Sequence, residues 1–146
     1  MSLKQWADNG WLKPHKTSRE EIANLLAIVE RDLADAANEA VSPDSRFGIA
    51  YNAALKLCTI LLLVSGYRAE RTRHHYVTIQ AMPLILGNSR KDDAQYLDTC
   101  RNKRNIAEYQ YVGNVTARDV EELTGFVKEL KRIVQDWLNE TRSDLI

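Results

Sequence analysis

The stretch "IAYNAALKLCTILLLV", residues 49 to 64, decides the fold. It is the longest apolar run in the chain, yet it carries Asn52 and Lys56 and falls short of the roughly 20 residues that cross a bilayer. It therefore reads as a buried helix. Ala50, Ala53, Leu57, Ile60 and Val64 form one stripe, and Tyr51, Leu55, Cys58 and Leu62 form a second on another face. A helix that is apolar on two sides is either central in its bundle or shared with another subunit.

Working outward, "SPDSRF" (42 to 47) is turn chemistry in which Pro43 and Asp44 open this helix. Before it, "TSREEIANLLAIVERDLADAANEA" (17 to 40) offers a capping box in Ser18 and Glu21, then Ile22, Leu26, Val29, Leu33 and Ala36 at helical spacing. After it, Gly66 ends the run and "YRAERTRHH" (67 to 75) is a basic, polar connection. "YVTIQAMPLILG" predicts a shorter helix that Pro83 kinks and Gly87 stops. A further helix runs from about Ala94 to Asn105, with Tyr96, Leu97 and Cys100 as its buried contacts. Thr116 and Asp119 start the last helix, whose seam is Val120, Leu123, Val127, Leu130, Val134 and Trp137. No strand-like alternation competes with this pattern. The expectation is an all-α protein, an up-and-down bundle of four to five helices, with residues 1–146 as one domain. Residues 1–16 are expected as an irregular N-terminal arm on or near the bundle, with Trp6 or Trp11 tucked against it.

Composition narrows the function classes. The 146 residues are 45% hydrophobic and 27% charged, and 20 Lys and Arg balance 20 Asp and Glu. A neutral protein has no global field to draw nucleic acid, so any such binding needs a local patch. Cys58 and Cys100 show no CxxC or Cys/His spacing, which reads as two reduced thiols in a cytoplasmic protein without zinc. "MSLKQWADNGWL" has no hydrophobic leader core, so neither export nor a membrane is expected.

Gly-rich phosphate loops, HExxH pairs and nucleophile elbows do not occur, leaving three clusters to weigh. His74 and His75 come before a helix whose dipole would depress a histidine pKa and favour anions. Adjacent residues diverge on a helix and no third ligand is evident, so a structural or capping role outweighs metal binding. Arg68, Arg71 and Arg73 are either a solvated loop or one wall of a basic groove. The third cluster is "RNKRNIAEYQY" (101 to 111). Continued as a helix, it puts Arg101, Arg104 and Glu108 on one face, with Arg104 and Glu108 as an i,i+4 ion pair. Gly113 and Asn114 argue for a helix end nearby. Arg104 and Tyr109 are about 140° apart around a regular helix and converge only if the helix ends or distorts between them.

In their order and spacing, "GWLKPHKTSREEI", "AYNAALKLC", "GYR", "HHYVTI" and "RNKRNIAEY" resemble the HEPN superfamily, small helical domains found in prokaryotic toxin–antitoxin systems beside minimal nucleotidyltransferases. The resemblance runs along nearly the whole chain. Many such domains are metal-independent ribonucleases with an Arg-x4-His-x-Tyr motif, the Arg steadying the scissile phosphate and the His moving the proton of the attacking 2′-hydroxyl. Arg104, Asn105, Tyr109 and Tyr111 match that pattern, except that Tyr109 stands at the histidine position. Arg101 with Asn102 offers a second register, also without a histidine in reach. An unperturbed phenol is ionised about once in a thousand molecules at neutral pH, so Tyr109 is a poor substitute base.

The resemblance thus implies an uncertain enzyme: Arg104 and Tyr109 are the candidate catalytic pair. RNA or a nucleotide would be bound by Arg101, Asn102, Arg104, Asn105, Glu108, Tyr109 and Tyr111, with His74 and His75 nearby. It implies a homodimer pairing two clusters of Arg101, Lys103 and Arg104 in a basic cleft, and a nucleotidyltransferase antitoxin as partner, with no cofactor and no metal. The alternatives are an active metal-independent ribonuclease, in which Tyr109, His74 or His75 replaces the missing base, and a structural or protein-interaction module.

Overall fold

A computed structural model of the chain describes residues 2–110 and 112–146, and only the backbone of Arg73. Tyr111 and the Arg73 side chain, both named as candidates from the sequence, lie outside the described residues. The chain is predominantly helical. In order come α1 (Leu3–Asp8), β1 (Leu12–Pro14), α2 (Arg19–Ala36), α3 (Pro43–Val64), β2 (Tyr67–Ala69), α4 (His74–Leu86), α5 (Lys91–Tyr109) and α6 (Ala117–Thr141). Short 3₁₀ turns precede α4 (Arg71–Arg73) and α5 (Asn88–Arg90) and close the chain (Ser143–Leu145).

The opening stretch is the second part of α3. Ser42 caps this helix, its hydroxyl accepting the Ser45 N–H at 3.3 Å, and Pro43 follows in the first turn, where no N–H is needed. The helix has 22 residues, long and apolar enough to cross a membrane, which corrects the length argument made from the apolar run alone. Its burial within the chain is what makes it a core helix: 67% of its apolar window is buried, and it packs on α2, α4, α5 and α6. Both stripes, Ala50 to Val64 and Tyr51 to Leu62, are buried within the one chain. Its second face is therefore filled without another subunit.

The flanking helices pack as their periodicity requires. Ile22, Val29, Leu33 and Ala36 of α2 are buried, and Leu26 packs against them partly exposed. Ser18 accepts the Glu21 N–H at 3.1 Å, but Glu21 turns its carboxylate to the Thr17 hydroxyl at 2.7 Å and His15 Nε2 at 2.8 Å instead of closing a capping box. Thr116 and Asp119 do close one at the start of α6. Val120, Leu123, Val127, Leu130, Val134 and Leu138 then form its buried seam, with Trp137 at the edge. Cys58 and Cys100 are buried and unpaired, and burial pushes their thiols up to about 12 and about 11.

Three boundaries depart from expectation. Residues 1–16 are not irregular throughout: they contain α1 and β1, and β1 pairs antiparallel with β2, Leu12 opposite Ala69 and Pro14 opposite Tyr67. Strands of three residues are too short for alternation to register in a sequence. Leu12 and Ala69 join Leu62, Val77 and Ala81 in a second apolar cluster, against which Trp6 and Trp11 are half-buried. Helix α4 begins at His74, so the histidine pair sits on the helix rather than before it. Helix α5 runs to Tyr109, past the expected end at Asn105, and straight through the arginine cluster.

Candidate functional site

Because α5 stays helical to Tyr109, Arg101, Arg104, Asn105 and Glu108 recur at steps that bring them along one side of it. Arg101 is oriented from one turn back by Asp98, whose Oδ1 accepts its Nε–H at 2.9 Å. Its outer guanidinium nitrogens make no protein hydrogen bond among the described residues, and its Cζ lies 5.9 Å from the Tyr76 ring centroid. Arg104 lies deeper. Its Cζ is 5.8 Å from the ring centroid of Tyr51, and Nη1 donates to Asn105 Oδ1 at 3.1 Å. Nε is 3.1 Å from Glu108 Oε1, close enough for an ion pair but not aligned as a hydrogen bond.

Across from α5, the 3₁₀ turn and first turn of α4 present Arg71, His74, His75 and Tyr76. With Arg101 and Asn105 they enclose a cleft of about 590 Å³. His75 Nδ1 is 3.1 Å from the Tyr51 hydroxyl, and the His74 and His75 rings meet edge to face at 5.5 Å. Burial, then the positive fields of His74, Arg104, Arg101 and Lys56, pushes the His75 pKa down to about 4. His74 is lowered too, by burial first and then by Lys56. Burial raises the Tyr51 phenol. At neutral pH the cleft therefore holds an uncharged imidazole hydrogen-bonded to an uncharged phenol, beside the Arg101 cation.

Four of the residues expected from the sequence meet in this cleft: Arg101, Asn105, His74 and His75. Arg104 stands behind it, and the others point elsewhere. Tyr109 is 74% exposed and does not line the cleft, so the demanded convergence with Arg104 does not occur. The unbroken helix keeps the two on different faces. Asn102 is exposed, Glu108 engages Arg104, and Lys103 lies away from the cleft, paired with Asp119 at 3.0 Å. The expected cluster of Arg101, Lys103 and Arg104 is thus split between surfaces. Arg68 is exposed on β2, whereas Arg71 of the same sequence cluster reaches the cleft. Tyr51 and Tyr76 were not singled out as site residues from the sequence. The first was visible only as a member of the second apolar stripe, and the second only as the residue after the histidines.

Chemically, the cleft offers fixed cations, an amide and neutral imidazoles at the positive end of a helix dipole, a combination suited to a phosphate or another oxyanion. Among the described residues, no three His, Cys, Asp or Glu side chains gather as a metal site would require. No family model, curated protein or solved structure matches this chain.

Proposed function

We propose that the protein is a HEPN-like helical bundle that binds a phosphate-bearing ligand, RNA or a nucleotide, in the cleft between the start of α4 and α5. The carrying observation is that Arg101 and Asn105 face Arg71, His74 and His75 across one cleft of about 590 Å³. Asp98 takes only Nε of Arg101, so the outer edge of the guanidinium is available to clamp phosphate oxygens. Arg71 makes no ion pair among the described residues. With 20 basic and 20 acidic side chains the chain lacks a long-range field, so binding rests on this local patch. In the same reading the protein is the toxin-like partner of a nucleotidyltransferase. The homodimer that the resemblance implies finds no support in α3, both of whose faces are filled within the chain.

Anisotropy titration with labelled single-stranded RNA and with tRNA tests the reading. Binding should weaken steeply with salt, and Arg101→Ala should weaken it about tenfold or more, the loss expected of a charge-assisted contact. Absence of binding at low salt would end it. Sedimentation of the purified protein tests the dimer separately.

The Tyr51–His75 contact favours a second reading, RNA cleavage. A neutral imidazole beside Arg101 replaces in space the base that the linear motif lacks. A phosphodiester seated at Arg101 would raise the His75 pKa towards the useful range, and the imidazole would then accept the 2′-hydroxyl proton. EDTA-resistant cleavage that His75→Ala abolishes, with binding retained, distinguishes it from binding alone.

A further inference from the structure

We propose that the neighbouring cavity beneath the N-terminal arm is a nucleobase subsite, so that the ligand unit is a nucleotide with its phosphate at Arg101 and its base against Tyr76. This rests on the phosphate-binding reading above and specifies what is attached to the phosphate. The second cavity has a volume of about 530 Å³, within the range of small-molecule sites. Tyr76 lines both cavities and is therefore the wall they share. Tyr76 is 46% exposed, and the Arg101 guanidinium lies 5.9 Å from its ring centroid.

The lining of the second cavity differs in kind from that of the first. Trp6 and Trp11 give it flat faces and Val77 and Leu84 further apolar surface, while Gln80 and Gln95 supply amide donors and acceptors and Lys91 adds one cation. A nucleobase matches that mixture, having two π faces and a hydrogen-bonding edge. An acyl chain does not, because it would bury the amides without partners. The arm makes this chemistry possible: β1 pairing with β2 carries Trp11 to the cavity, and α1 brings Trp6, whose ring stands 5.9 Å from that of Trp11 in an edge-to-face contact. Continuity with the basic cleft through Tyr76 argues for one ligand bridging both cavities. The same unit occurs as a free nucleotide and within an RNA strand.

Calorimetric titration of the full chain with AMP, ribose 5-phosphate, adenosine and a single-stranded adenylate trinucleotide tests the proposal. AMP should bind about tenfold or more tightly than ribose 5-phosphate, the advantage expected of base stacking. Tyr76→Ala should lower AMP affinity by more than ribose 5-phosphate affinity, so that the advantage is lost, and Tyr76→Phe should keep it. Circular dichroism confirms that both variants fold. Arg101→Ala should weaken both phosphates. Equal binding of AMP and ribose 5-phosphate, or an AMP advantage that survives Tyr76→Ala, overturns the subsite and leaves the phosphate reading intact. Adenosine binding as tightly as AMP overturns the bridged arrangement. If neither phosphate binds, the phosphate reading fails and the subsite with it. A trinucleotide that binds at least tenfold more tightly than AMP supports the proposal with RNA as the source of the unit; equal affinities support it with a free nucleotide.

Discussion

The Tyr51 hydroxyl lies 3.1 Å from His75 Nδ1, and that contact joins the central helix α3 to the mouth of the cleft. Tyr51 is 1% exposed, so the imidazole is anchored to the buried core of the molecule. Folding pushes the His75 pKa down to about 4 from an ordinary 6.5, burial being the largest cause. Between those values the unfolded chain binds more protons than the folded one, so stability falls as pH drops from 6.5 towards 4 and is unaffected by this residue above 6.5. Carboxylates also titrate in that window, so the prediction concerns a difference. Urea unfolding at neutral pH and near pH 4 should show a smaller acid loss for His75→Gln than for the parent chain. Equal losses would show that His75 does not titrate with folding.

Arg104 is predicted to act on the cleft from behind rather than at the ligand. It contributes to the lowering of the His75 pKa and holds Asn105 Oδ1 at 3.1 Å from its own Nη1. Arg104→Gln should therefore raise the His75 pKa, read from its imidazole proton shifts, while weakening phosphate binding by less than Arg101→Ala does. An Arg104 variant that loses at least as much affinity as the Arg101 variant would place Arg104 at the ligand itself.

Legibility from sequence differed sharply between the helices and the site. The seam of α6 and the two stripes of α3 repeat over many turns, and burial follows that repeat closely. The end of α5 was misplaced because Gly113 and Asn114 do mark a stop, but the helix uses four more residues, Ile106 to Tyr109, before reaching it. That extension decided the site: it turned Tyr109 outward and kept Arg104 and Glu108 as neighbours. Arg101 and Asn105 were legible as a cluster, and so was the His74–His75 pair, but not their meeting. Some thirty residues separate the two groups, and their approach depends on how α4 and α5 pack, which no local spacing encodes. Asn52 was readable only as a mark against a membrane span, whereas in the fold it is a donor to a buried carboxylate.

Asp44 is predicted to latch the loop before α6 onto the start of α3. Its Oδ2 accepts the Gly113 N–H at 2.8 Å and its Oδ1 the Val115 N–H at 3.4 Å. It also lies in the first turn of α3, where a negative charge favours the helix dipole. Asp44→Ala should cost about 1.5–3 kcal/mol, the range for hydrogen bonds to a charged group. Asp44→Asn, which retains one acceptor oxygen, should cost less. Hydrogen exchange at Gly113 and Val115 should accelerate in the alanine variant ahead of the rest of the chain. Unchanged exchange there would contradict the latch.

Asp32 and Asn52 form a polar link between α2 and α3. Asp32 is 4% exposed, and its Oδ2 accepts from Asn52 Nδ2 at 2.7 Å while Oδ1 accepts from Arg31 Nε at 3.0 Å. A carboxylate so placed depends on its donors, because water reaches it poorly. Asn52→Leu removes one donor and leaves the charge, so it should destabilise by about 2–3 kcal/mol, the usual penalty for stranding a buried charged acceptor. Asp32→Asn should cost less, since an amide tolerates the partial loss of partners better than an anion does. The double change Asp32→Leu with Asn52→Leu removes both polar groups together and should recover part of the single-variant loss, provided that the leucines fit between α2 and α3. Chemical denaturation of the parent chain, Asp32→Leu, Asn52→Leu and the double variant reads this as a coupling energy. Additive losses would mean that the two side chains do not depend on each other.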